Sequence, residues 1–69
     1  MDVVAEVAGK VWKIEAQVGA RLAADDAILI LESMKMEIPV AAPRAGRLVE
    51  LRVKEGDMLH EGSIVAVVE

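Results

Sequence analysis

Gly9-Lys10-Val11-Trp12-Lys13-Ile14-Glu15-Ala16-Gln17-Val18-Gly19 returns as Gly46-Arg47-Leu48-Val49-Glu50-Leu51-Arg52-Val53-Lys54-Glu55-Gly56, and this recurrence decides the fold of the 69-residue chain. The offset is 37 (46 − 9 = 37), and no gap is needed when residues 2–32 are laid over residues 39–69. Val3 falls on Val40, Ala5 on Ala42, Ala8 on Ala45, Leu22 on Leu59 and Glu32 on Glu69. Ile28 matches Val65 and Ile30 matches Val67. Only residues 33–38 lie outside the repeat.

Working outward from the quoted stretch, Trp12, Ile14, Ala16 and Val18 alternate with mostly polar neighbours, and Val49, Leu51 and Val53 do the same in the second copy. A period of two marks strands with one buried face. This reading sends Trp12 and Val49, with Ile14 and Leu51, into one shared core and turns Lys13 outward. Trp12 is then the largest core filler. Gly19 and Gly56 close each stretch where a turn with positive φ is expected. Leu22 and Leu59 return to the core, and the apolar runs at residues 28–31 and 64–68 read as further strands. A helix over residues 20–31 is favoured by Ala and Leu, but the matching residues 57–68 contain Gly62 and end in a β-branched run. Asp25 stands where the second copy has Gly62, a turn position that tolerates Asp in a left-handed conformation. Pro39 and Pro43 flank residues 40–42. Proline cannot donate to a sheet ladder, so an edge strand or a crossing between sheets is expected there. The predicted fold is all-β, a flattened barrel or sandwich of two antiparallel sheets with an internal pseudo-twofold repeat, in one domain spanning residues 1–69.

Composition narrows the function. The chain has no cysteine, so disulfides and thiolate metal sites are excluded, which suits a reducing, cytoplasmic setting. No apolar run approaches the roughly 18 residues a membrane-spanning helix needs, and no basic-then-apolar leader opens the sequence. A net charge of −4 and a single aromatic residue argue against nucleic acid as a partner. Asp25-Asp26 are two adjacent carboxylates in a turn and do not make a metal site. His60 stands alone and reads as a surface residue. Arg44, Arg47, Arg52 and Lys54 make the second half more basic, the pattern of a solvated face.

The residues outside the repeat carry the functional signal. A strand ending at Ser33 and another starting at Met36 leave Met34-Lys35 as a two-residue loop, with Glu32 facing Glu37 across the hairpin. Such loops favour Asn-Gly, Asp-Gly or Gly-X, because one or both positions need positive φ. Like charges directly opposite each other also destabilise the pairing. Two methionines at an exposed tip add nothing to a core. Local rules broken together at one spot mark a functional site, and here they surround a single lysine at the joint of two equivalent halves. The alternative is an ordinary solvated tip.

Glu32-Ser33-Met34-Lys35-Met36, the glycine-punctuated repeat and the segment Ala42-Pro43-Arg44-Ala45-Gly46 together resemble the biotinyl and lipoyl attachment domains. The likeness covers essentially the whole chain. It implies two four-stranded antiparallel sheets, with Lys35 at a hairpin tip opposite the paired termini. It further implies that a biotin protein ligase joins biotin covalently to Lys35. Met34 and Met36 are expected to contact the ligase, since methionine adapts to varied partner surfaces; Glu32 and Glu37 are expected either to bias that recognition by charge or to be ordinary solvated strand residues. The partners implied are biotin carboxylase and carboxyltransferase, with the catalytic groups residing in those proteins and not in the carrier. Lipoyl members usually carry Asp-Lys-Ala at the tip, so the two methionines favour biotin over lipoate. Ser33 departs from the commoner alanine, and the protruding thumb of some bacterial acetyl-CoA carboxylase carriers is missing. Two other readings stay open at this point: a lipoyl carrier of the same fold, and an unmodified barrel that serves as a docking module.

Overall fold

The two copies of the repeat build the same strands. The computed structural model, which describes residues 1–69, contains eight strands and no helix: β1 (Asp2–Val4), β2 (Gly9–Ile14), β3 (Arg21–Leu22), β4 (Ala27–Ser33), β5 (Met36–Ala41), β6 (Gly46–Leu51), β7 (Met58–Leu59) and β8 (Ile64–Val68). They form two four-stranded sheets of order β1-β8-β6-β3 and β5-β4-β2-β7, with every pairing antiparallel. The offset of 37 carries β2 onto β6 and β3 onto β7, residue for residue, and carries one sheet order onto the other. Each sheet therefore takes two strands from each half of the chain.

Turn chemistry follows the same symmetry. Gly19 and Gly56 adopt φ of 96° and 95°, and Asp25 and Gly62 adopt 72° and 89°, as the sequence leads one to expect. Gly19 N–H donates to the carbonyl of Leu48 (2.7 Å), and Gly56 N–H donates to that of Val11 (2.8 Å). Asp26 Oδ2 accepts from Ala23 N–H (2.9 Å), and at the equivalent turn Ser63 Oγ accepts from His60 N–H (3.0 Å). Different side chains thus cap the same backbone corner. β5 lies at a sheet edge, which accommodates Pro39 without the loss of a ladder bond.

The strand phase differs from the sequence reading in one respect. Val11 is fully buried, whereas Trp12 is 50% exposed. The pairing of β2 with β4 skips Trp12, passing from Val11↔Leu31 to Lys13↔Ile30. That β-bulge inserts one residue and reverses which parity faces inward. Before the bulge, Val11 points to the core; after it, Ile14 packs against the core and Ala16 is buried. β6 repeats the device by skipping Val49, so Leu48 is buried and Leu51 takes the place of Ile14. Ile14 and Leu51 thus meet the core as expected, while Trp12 and its counterpart Val49, each at a bulge, do not. Lys13 is exposed as expected. Further bulges at Ile28 and Val65 put adjacent residues inward, so Ile28, Leu29, Val65 and Ala66 are all buried. The core is wholly apolar and contains no buried polar or charged side chain. Any chemistry of this molecule takes place on its surface.

Candidate functional site

β4 and β5 run as a hairpin of unbroken register at its outer end: Leu31↔Ile38, Glu32↔Glu37, Ser33↔Met36. Met34 and Lys35 are left as the two-residue loop, with φ of 48° and 68°. Both lie in the left-handed region, as a type I′ hairpin turn requires. For residues other than glycine that conformation costs roughly 1–2 kcal/mol each, so the fold holds Met34 and Lys35 in a backbone they do not favour. Met34 is 93% exposed and Met36 64%, so neither contributes to the core. Lys35 is exposed, and its side chain makes no hydrogen bond or ion pair.

The base of the hairpin is braced by β2. A Cβ on Gly9 would stand 3.0 Å from the carbonyl oxygen of Glu32 and 3.4 Å from Ser33 Cβ. A side chain there would push the Glu32 backbone away by a few tenths of an ångström, so glycine lets β2 lie this close beneath the tip. Register then defines a row across the outer face of the sheet: Glu37 opposite Glu32, Glu32 opposite Lys10, and Lys10 opposite Met58. The sequence places Glu32 and Glu37 against each other, but Lys10 and Met58 join them only through the sheet order. The ion pairs of the molecule lie elsewhere, between Lys13 and Glu15 (3.8 Å) and between Arg52 and Glu50.

The twofold relates this tip to the chain ends. Met1 N donates to the carbonyl of Val68 (2.7 Å), the counterpart of the Leu31–Ile38 pairing. The termini and Lys35 therefore occupy equivalent places on opposite sides of the pseudo-twofold, along a body of 30 × 17 × 17 Å. No three His, Cys, Asp or Glu side chains converge as a metal site, and no helix is long and apolar enough to cross a membrane. Chemically, the arrangement offers one exposed primary amine on a long flexible stem, carried on a stiff hairpin.

Residues 2–68 match the family model described as biotin-requiring enzyme, the biotin/lipoyl family. The chain belongs to this family. Within the biotin/lipoyl family it is 42% identical to a biotin/lipoyl attachment protein of Bacillus subtilis, over 94% of this chain and 89% of that protein. It is 39% identical to a protein of Mycobacterium leprae named as biotinylated, over 97% of this chain and 94% of the relative. The urea carboxylase of Kluyveromyces lactis contains the same fold at a TM-score of 0.95 and 36% identity, covering all of this chain and 6% of that much longer one. As a biotin/lipoyl family member, the chain thus matches both small proteins of its own length and a short section of a large carboxylase.

Proposed function

We propose that residues 1–69 act as a biotin carrier in which Lys35 is the sole attachment site. The observation that carries this reading is the strained two-residue tip, which presents one unpaired lysine between two exposed methionines. A biotin protein ligase supplies biotin as its acyl-adenylate. The neutral amine of Lys35 attacks the acyl carbonyl, AMP leaves with the bonding electron pair, and the nitrogen loses a proton as the amide forms. Met34 and Met36 offer the ligase adaptable contacts on either side of the amine, and Glu32 and Glu37 flank them one strand position further back. The product loses the Lys35 cation, so the net charge of −4 becomes −5. The tethered ring then accepts a carboxyl group at a biotin carboxylase and delivers it at a carboxyltransferase, the tether replacing free diffusion by a high effective concentration at both. The carrier contributes position, and the reacting groups belong to biotin and the partner enzymes. In this reading it works in the cytoplasm, in keeping with a fold that relies on no disulfide.

The test is the intact mass of the protein after co-expression with a biotin ligase. One biotin amide should appear, and Lys35→Arg should abolish it while leaving the far-UV spectrum unchanged. A lipoyl adduct in place of biotin would reassign the cofactor, and label that persists in Lys35→Arg would remove Lys35 from the site.

A further inference from the structure

The outer face of the lysine-bearing sheet holds the only aromatic residue of the chain, and it faces water. Trp12 is half exposed because the β2 bulge turns it outward. Its twofold counterpart Val49 occupies an equivalent bulge. Ile30 pairs with Pro39 on the neighbouring strands of the same face, directly beside Trp12, and Met58 is 69% exposed at its rim. Between this apolar cluster and the Lys35 tip runs the row Glu37–Glu32–Lys10. Glu32 lies opposite Lys10, which makes Trp12 its diagonal neighbour, about 7–8 Å away by sheet geometry. Glu32 and Glu37 face each other as like charges, and neither is held in an ion pair.

We propose that this face docks the enzyme that carboxylates the tethered biotin, through an arginine that stacks on Trp12 and pairs with Glu32 and Glu37. An exposed tryptophan next to two unpaired carboxylates fits a guanidinium on both counts, since arginine stacks on aromatic faces and binds carboxylates in a fork. Tryptophan is also among the residues that most often anchor interfaces. Charge selects this partner over the ligase. In the unmodified chain, Glu32 and Glu37 are offset by Lys10 and Lys35. Lys35 lies only two residues along the hairpin from Glu37, well inside a Debye length of about 10 Å. Amide formation removes that cation, and the face gains one net negative charge. A cationic partner is thereby drawn to the biotinylated form, whereas the ligase must engage the unmodified one. Attachment of the cofactor thus also marks the carrier as ready.

This inference rests on biotin attachment at Lys35, and its test keeps the two apart. Wild-type and Trp12→Ala carriers are biotinylated, verified by intact mass, and used as substrates for a biotin carboxylase that carboxylates the wild-type carrier from labelled bicarbonate and ATP. Trp12→Ala should raise the KM for the carrier by about tenfold, the effect of truncating an interface anchor, with kcat unchanged. Trp12→Lys, which sets a like charge against the arginine, should raise it further. The rate at which the ligase biotinylates either variant should equal that of wild type. Unbiotinylated Lys35→Gln should inhibit carboxylation of the wild-type carrier several-fold more strongly than unbiotinylated Lys35→Arg, because only the former lacks the cation. An unchanged KM for Trp12→Ala overturns the proposal, as does a ligase rate that falls in step with carboxylation, or equal inhibition by the two Lys35 variants. Failure of the wild-type chain to take biotin would instead overturn the attachment reading.

Discussion

The hairpin tip and the chain ends occupy equivalent positions of one repeated frame, yet only one of them is closed. At the first, Leu31 pairs with Ile38 and the chain turns through Met34-Lys35; at the second, Val68 accepts from the amino group of Met1 and the two strands are not joined to each other. The open end shows that the sheet holds its register without a connection at that place. A strained turn is therefore not what sets the register at such a place, and in the proposed reading its cost goes into presenting the Lys35 side chain. Symmetry isolates a functional element by supplying its blank counterpart in the same molecule.

Moving the closure from one place to the other breaks the comparison outright. A permuted chain that joins Glu69 to Met1 through Ser-Asn-Gly-Asn-Glu and opens between Met34 and Lys35 keeps every strand pairing. It should remain folded by circular dichroism yet accept essentially no biotin from the ligase, as read by intact mass. Should the open tip be biotinylated at the wild-type rate, the turn is not what the ligase reads.

Equivalence of the halves can be tested next in the core. Val11 and Leu48 are fully buried counterparts preceding equivalent bulges. Leu48→Ala should cost about 2–5 kcal/mol in urea unfolding, and Val11→Ala about 2 kcal/mol at its smaller volume. Trp12→Ala, one residue beyond the bulge, should cost no more than about 1 kcal/mol. A larger loss at Trp12 than at Val11 would place the bulge wrongly.

The smallest effect is also the most local. Met34→Asn introduces a residue that tolerates the left-handed region. It should raise stability by about 0.5–1 kcal/mol while slowing biotinylation. A gain in stability with no change in the rate would mean that the Met34 side chain plays no part in ligase recognition.

Much of this was legible in the sequence. The repeat fixed the number of sheets and their relation, and the hairpin register followed residue by residue, because Ser33 and Met36 bound a two-residue loop. The positive-φ corners at Gly19, Gly56 and Asp25 followed from backbone stereochemistry alone, which also narrowed the Pro39 segment to an edge strand or a crossing between sheets. The phase around Trp12 did not, since a period of two presumes an unbroken pleat. A signal was nonetheless present: Val11-Trp12, Leu48-Val49, Ile28-Leu29 and Val65-Ala66 are adjacent apolar pairs at matching places. A bulge stands at each of them. Doubled apolar residues that recur with a repeat mark where the pleat slips. The extension of the Glu32–Glu37 pair to Lys10 and Met58 was beyond reach, because it depends on strand order and not on spacing.

The exchange of strands between halves has a consequence for how the chain comes into being on the ribosome. β1 pairs with β8, and β2 pairs with both β4 and β7, so neither sheet can be completed from the first half alone. Before β8 is available, the strands of the β5-β4-β2-β7 sheet are all present, but the other sheet lacks the strand that joins β1 to β6, so no complete second layer covers the apolar face. The two-layer core closes only once β8 is in place. In the proposed reading, a ligase that reads the braced tip acts on the closed two-sheet domain and not on its partial forms.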